Sequence, residues 1–330
     1  MSTAIILQQM AVICILVSIG FYLCKKGVMD IIASKKVSAI VMDICNPALI
    51  LASILSGNIT ADRHDLLISI VLSMGFYIFL VGLGFIIPRI LGVAPDKRRF
   101  YNLMTVYTNV GFIGIPVARA ILPENAILNV IVCNVMYSLL FYTHGVTILS
   151  GGKEKMNIKK VFSPGTIMAV LALVVFWFDI SLPPVLANSI SYVGNATVFL
   201  SMTLLGAAIA RSNFMAGLKD LKIWIYIGVR MVTVPFAMFF LLRALHVDSI
   251  TILALCLMAC MPVGNLPLIQ AEKTGEDTSI LSSAIAVSTV VSILTITLAM
   301  SFFSAIVGCY RNILNKSRRM SLVAFDPVLV

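Results

Sequence analysis

Residues 108–117 read TNVGFIGIPV, with two glycines, a proline and an asparagine inside an otherwise apolar stretch. In a soluble protein such a run marks a turn. Its surroundings point elsewhere. Of the 330 residues, 60% are hydrophobic and 12% charged, whereas an ordinary soluble domain is about 45–50% apolar and about 25% charged. Runs of roughly twenty apolar residues recur, each long enough to cross a ~30 Å hydrocarbon core. The chain therefore reads as an all-α polytopic membrane protein, and the broken run lies within the bilayer. There, unpaired backbone groups are tolerated only where they are buried in protein or line a wet cavity.

Ten spans are expected, at 4–23, 37–56, 66–88, 101–121, 127–149, 165–180, 185–209, 223–245, 249–271 and 278–308. With the N-terminus outside, the inward loops carry sixteen Lys and Arg residues, from Lys25 and Lys26 to Lys273, and the outward loops only Arg63, Arg119 and Arg243. Basic residues collect on the cytoplasmic side, so this orientation is favoured. By parity the C-terminal tail also lies outside. It carries Arg311, Lys316, Arg318 and Arg319, and the five inner loops outvote it. The expected setting is a plasma (inner) membrane, multi-pass, with both termini outside. The net charge of +10 then marks the cytoplasmic face, and the lipid bilayer rather than nucleic acid is the partner it implies. Ala4 to Leu23 has no basic residue ahead of it and ends at Lys25-Lys26, the reverse of a cleavable signal. The seven cysteines sit in or beside apolar runs and read as packing residues. Cys256 and Cys260 share a helix face with no His or carboxylate near them in sequence, and no metal site is expected.

Compared with itself at an offset of 153 residues, 108–128 aligns Val110 with Val263, Gly111 with Gly264, Ala118 with Ala271, Ile127 with Ile280 and Leu128 with Leu281. At an offset of 149, NPALILASILSG (46–57) lies on NATVFLSMTLLG (195–206). The two offsets pair span 2 with span 7 and span 4 with span 9. Each unit then has five spans, and an odd number inverts the second unit, the inverted repeat of secondary transporters. The expected division is a first repeat at 1–150, a short cytoplasmic linker at 151–164, a second repeat at 165–310 and a tail at 311–330.

The broken run now has a partner, MPVGNLP at 261–267. Pro116 removes a helix donor and clashes with the turn before it. Two helices interrupted at corresponding places of inverted halves would cross near the midplane and turn half-helix N-termini, which attract anions, toward a common point. The candidate substrate-binding residues are Asn109, Gly111, Gly114, Pro116, Pro262, Gly264 and Asn265. Simple packing kinks are the competing reading, since Pro and Gly are common in membrane helices; a symmetric pair with Asn at each break favours a site.

Two charges lie within spans. Asp43 is roughly 10 Å beyond Lys36 and Arg230 roughly 12 Å beyond Lys222, at 1.5 Å per helical residue. Either Arg230 neutralises a carboxylate while Asp43 takes a coupling proton or cation, or the two pair with each other or snorkel to the interface. The second reading is the plainer. Asn46 ahead of Pro47, Asn134 and Tyr137 are candidate cavity-lining residues, and His144 reads as structural.

NPALILASILSGN (46–58), TNVGFIGIPV, Arg230 followed by Pro235, and MPVGNLPLIQAEKTGED (261–277) resemble the auxin efflux carrier family, which includes plant auxin carriers and prokaryotic permeases for malate, malonate and related acids. The resemblance covers nearly the whole chain, and the two break motifs are its most specific part. It implies ten helices in two inverted five-helix repeats, with broken helices 4 and 9 crossing at the substrate, a scaffold part, a mobile transport part, and a homodimer. The short middle loop is similar to that of the prokaryotic members. Pro267 departs from the family pattern.

The expected function is secondary transport of a small organic anion, a malate- or malonate-like carboxylate or an auxin-like acid, by alternating access. No cofactor is expected, and coupling to H+ or Na+ stays open. The alternative is an ion-coupled symporter of another solute class, resembling the bile-acid/sodium carriers. No G-x-x-x-x-G-K-[ST] run supplies a nucleotide site. There is no H-E-x-x-H, no paired intramembrane aspartate and only three histidines, so no catalytic residues are expected and an enzyme is excluded. No charged pore stripe of a channel is evident.

Overall fold

A computed structural model describes residues 3–55, 62–151, 164–211, 220–274, 276 and 279–323. The chain is almost entirely helical: α1 (Thr3–Lys25), α2 (Ile31–Leu55), α3 (Arg63–Ile90), α4 (Arg98–Val106), α5 (Val110–Ile121), α6 (Ala126–Leu149), α7 (Pro164–Trp177), α8 (Pro184–Arg211), α9 (Leu221–Ala244), α10 (Ser249–Cys260), α11 (Leu266–Thr274) and α12 (Ser279–Val323). Six of them (α2, α3, α6, α8, α9 and α12) are long and apolar enough to cross a membrane. Shorter apolar helices lie in α1, α5, α7 and α10. The expected spans at 101–121 and 249–271 each appear as two helices, α4 with α5 and α10 with α11. Most of the linker at 151–164 falls outside the described residues, and with it Lys153, Lys155, Lys159 and Lys160.

Asp30 caps α2 through the Ala33 amide at 2.7 Å, and Asp62 and Asp65 cap α3 reciprocally. Each such cap stabilises by about 1 kcal/mol. Downstream, α12 runs to Val323, well past its expected end at 308; its 45 residues would reach ~67 Å at 1.5 Å per residue. Residues 309–323 contain neither Pro nor Gly, so nothing local stops the helix there.

Three prolines shape the long helices in the same way. Five-residue π turns at Val41–Cys45, Val110–Gly114 and Val229–Thr233 each end two residues ahead of a proline, Pro47, Pro116 and Pro235. A proline cannot donate to the carbonyl four residues back and its ring crowds that carbonyl, so the preceding turn widens rather than breaks. The widened turns contain Asp43 and Arg230 and open at Asn109. A fourth π turn, Phe141–Gly145, contains His144 and is followed two residues on by Thr147 rather than a proline.

The core gathers on α10, where Thr251 to Cys260 are all buried. A helix apolar all round belongs inside a bundle, and α10 is enclosed by α6, α9 and α12. At the other edge α1 and α8 touch backbone to backbone. A Cβ placed on Gly206 would lie 1.9 Å from the Val17 carbonyl oxygen, and one on Gly20 2.1 Å from that of Thr203. Small residues let membrane helices approach so closely, and dispersion contacts then hold them. Gly206→Leu is therefore expected to cost about 3 kcal/mol or more through overpacking. The check is the thermal unfolding midpoint in detergent, which should drop by several degrees, while Gly82→Leu, at a glycine with open space around it, should leave it in place.

Candidate functional site

The two breaks meet as extended backbone. Thr108 and Val263 form an antiparallel bridge. The Asn109 amide donates to the Pro262 carbonyl at 2.8 Å, and the Gly264 amide to the Tyr107 carbonyl at 2.9 Å. The Val263 amide finds the Ser288 hydroxyl of α12 at 3.2 Å. Backbone that leaves its helix inside a membrane protein must find partners elsewhere, and here each break supplies them to the other. Gly264 is required by this approach: a Cβ would stand 2.8 Å from the Tyr107 carbonyl oxygen and 2.9 Å from that of Thr108.

Four helix ends converge on the crossing. The first half-helices, α4 and α10, arrive with their C-termini, and the second, α5 and α11, leave with their N-termini. Asn109 caps α5 through its Oδ1, which accepts the Phe112 amide at 3.2 Å, as Asn favours at a helix start. Its Nδ2 is buried without a partner, as is the Thr108 hydroxyl. A buried amide left without a partner costs about 1–3 kcal/mol, so this group stands ready for a ligand or a water. Asn265 occupies the matching place, one residue ahead of α11.

Two cavities flank the crossing and share Asn109, Phe112 and Asn265. The smaller, about 100 Å³, is lined by Asp43, Asn46, Gly111, Asn134, Tyr137 and Ser138, among others. The Asn46 Oδ1 is buried there without a hydrogen bond. Gly111 lets both amides close in, since a Cβ on it would sit 3.5 Å from Asn46 Nδ2 and 3.7 Å from Asn134 Oδ1. The larger, about 390 Å³, has Lys35 and Arg211 on its wall with Ser34, Ser38, Ser201, Ser282 and Thr289. Among the described residues, its lining contains two cations and no carboxylate, and that of the smaller cavity one carboxylate and no cation. Arg211 is held by the Met29 carbonyl and the Ser34 hydroxyl, both at 2.9 Å.

Of the residues singled out in the sequence, the structure gathers Asn109, Gly111, Asn265, Asp43, Asn46, Asn134 and Tyr137 around the smaller cavity. The others build the crossing without lining either cavity. The Gly114 amide bonds the Asn109 carbonyl at 2.9 Å, Pro116 starts the α-helical part of α5, and Pro262 and Gly264 carry the inter-break bonds. Arg230 is 1% exposed, and among the described residues no ion pair joins it to Asp43. Its Nε donates to the Thr105 carbonyl at 2.8 Å and its Nη1 to the Ala259 carbonyl at 2.6 Å. His144 stands 2.9 Å from the hydroxyl of Tyr107. Sequence reasoning missed Lys35, Arg211 and the hydroxyls of α12. The signal for the last was there: Ser282 and Thr289, seven residues apart, share a face of α12.

A family model described as membrane transport protein matches residues 5–160 and 152–300. The chain belongs to the membrane transport protein family. This is the auxin efflux carrier-like family whose motifs the two breaks resemble. The protein is similar to an uncharacterized transporter of Methanocaldococcus jannaschii, 24% identical over 306 residues that cover 87% of this chain and 95% of that protein. It is also similar to one of Methanothermobacter thermautotrophicus, 24% identical over 290 residues, 86% of this chain and 94% of the relative. As a member of a transport family with several membrane-capable helices, it is a multi-pass membrane transporter.

Proposed function

We propose that this transporter carries a small organic anion through the crossing by alternating access. The observation that carries the reading is the larger cavity, which joins Lys35 and Arg211 to the unpartnered amide of Asn109 and to two helix N-termini, with no carboxylate among the described residues of its lining. Such a lining favours a carboxylate and repels nothing in it. At about 390 Å³ it falls within the ~300–1,000 Å³ of small-ligand pockets. The supporting architecture is ten spans in two inverted five-helix repeats, with both termini outside and Lys35 and Arg211 toward the cytoplasm of a plasma-membrane protein.

Asp43 on the other side of the crossing is the candidate for coupling, because a carboxylate beside neutral amides offers a place for a proton or Na+. Asp43→Asn is expected to leave solute-concentration dependence within about threefold while removing the response to an imposed proton or sodium gradient. A gradient response that survives the substitution places the coupling elsewhere.

The test of the function is uptake of labelled malate, malonate and an indole carboxylate into proteoliposomes, with and without those gradients. Saturable uptake of one acid supports the reading. If no carboxylate enters while another solute does so with sodium, the protein is an ion-coupled symporter of a different class.

A further inference from the structure

Arg230 is a full positive charge buried in a chain that spans a membrane, and among the described residues no carboxylate pairs with it. An uncompensated charge in such a place is very costly, so its compensation has to be found in the backbone. Thr105 and Ala259, whose carbonyls it binds, lie in the last turns of α4 and α10. Each helix C-terminus carries roughly −0.5 of an elementary charge on carbonyls that lack helical donors. Two such ends meeting at one guanidinium come close to balancing it. The planar fork suits the task, because separate N–H groups of one rigid plate reach two acceptors on different helices. The proline-widened turn at Val229–Thr233 contains the arginine.

We propose that Arg230 is a positioning residue that ties the C-terminal ends of the two first half-helices together, so that both broken helices shift as one body. It completes the pairing of the breaks. Three residues beyond Thr105 the chain enters the Thr108–Val263 bridge, and the Pro262 carbonyl that accepts from Asn109 lies three residues beyond Ala259. Without the tie, the crossing rests on two backbone hydrogen bonds and the Ser288 contact. The inference concerns the crossing itself and does not depend on which solute is carried.

The experiment is hydrogen exchange of the purified protein in lipid nanodiscs, followed by mass spectrometry, for wild type, Arg230→Met and Arg230→Lys. The expected result is exchange at least about tenfold faster at 107–110 and 263–264 together in Arg230→Met, as loss of charge-assisted bonds implies, with α8 unchanged. Arg230→Lys keeps the charge but loses the fork, and is expected to show a smaller rise in the same two segments. A general loss of folding would raise α8 as well; if that happens in Arg230→Met, the lysine variant decides. Unchanged exchange in both segments of a folded variant overturns the proposal, and so does a rise confined to one of them. Because no solute enters this readout, its failure is separate from any failure of the anion reading.

Discussion

Asn109→Asp is expected to fold as the wild type does and to lose carboxylate uptake on the order of 100-fold or more near neutral pH. Asp caps a helix as well as Asn does, so the bond from the Phe112 amide at 3.2 Å persists and α5 keeps its start. What changes is the atom opposite. The unpartnered Nδ2 donor is replaced by an acceptor that is negative when ionised. A like charge at ~4 Å costs about 4 kcal/mol at an effective dielectric of 20, in addition to the lost hydrogen bond. The variant has a built-in control in pH. As the pH falls and the new carboxyl takes up a proton, it can donate again, so the ratio of variant to wild-type uptake should rise. Uptake within threefold of wild type at pH 7.5 would remove Asn109 from the solute's path, and a thermal midpoint lowered by many degrees would mean that the substitution had damaged the crossing instead.

The second large effect concerns the wall of the bigger cavity. Lys35→Glu is expected to slow uptake about tenfold or more at low ionic strength, with much of the loss recovered in high salt. Lys35 is exposed, so its field is screened over a Debye length of about 10 Å at 0.1 M. Charges lining a cleft change local concentration and entry rates by about 10–1,000-fold. Lys35→Gln should lie between wild type and the reversal. Arg211 is a poorer probe, because it also holds the Met29 carbonyl and the Ser34 hydroxyl and its removal would loosen the meeting of α1, α2 and α8. A Lys35→Glu variant that transports at the wild-type rate at every salt concentration would show that the cavity wall plays no part in attracting the solute.

The helical, membrane-embedded character was legible because hydropathy and span length report directly on transfer into lipid. The breaks were legible too, since Pro116, Pro262 and the glycines beside them leave the backbone few alternatives to leaving the helix. Asn46, Asn134 and Tyr137 could be named as candidate cavity-lining residues, but nothing in the sequence placed them at the crossing; the packing of α2 and α6 is what brings them beside Asp43 and the asparagines. The partners of Arg230 were not legible. Sequence depth placed it level with Asp43, and an ion pair was the plainer reading, but depth says nothing about azimuth, and backbone carbonyls carry no sequence signature. Lys35 and Arg211 were counted as loop charges that orient the chain. Their place on a cavity wall depends on how α2 and α8 lie against α5, α11 and α12, and only tertiary packing fixes that.

The crossing is made almost wholly of main-chain groups, with Arg230 and Ser288 as the side chains that tie into it. Main chain is common to every sequence, so with Gly264 and the prolines of the breaks in place this hub can persist while Phe112, Asn134, Lys35 or Ser282 are exchanged around it. Side chains around the hub can thereby change without disturbing the hydrogen bonds that join the two breaks.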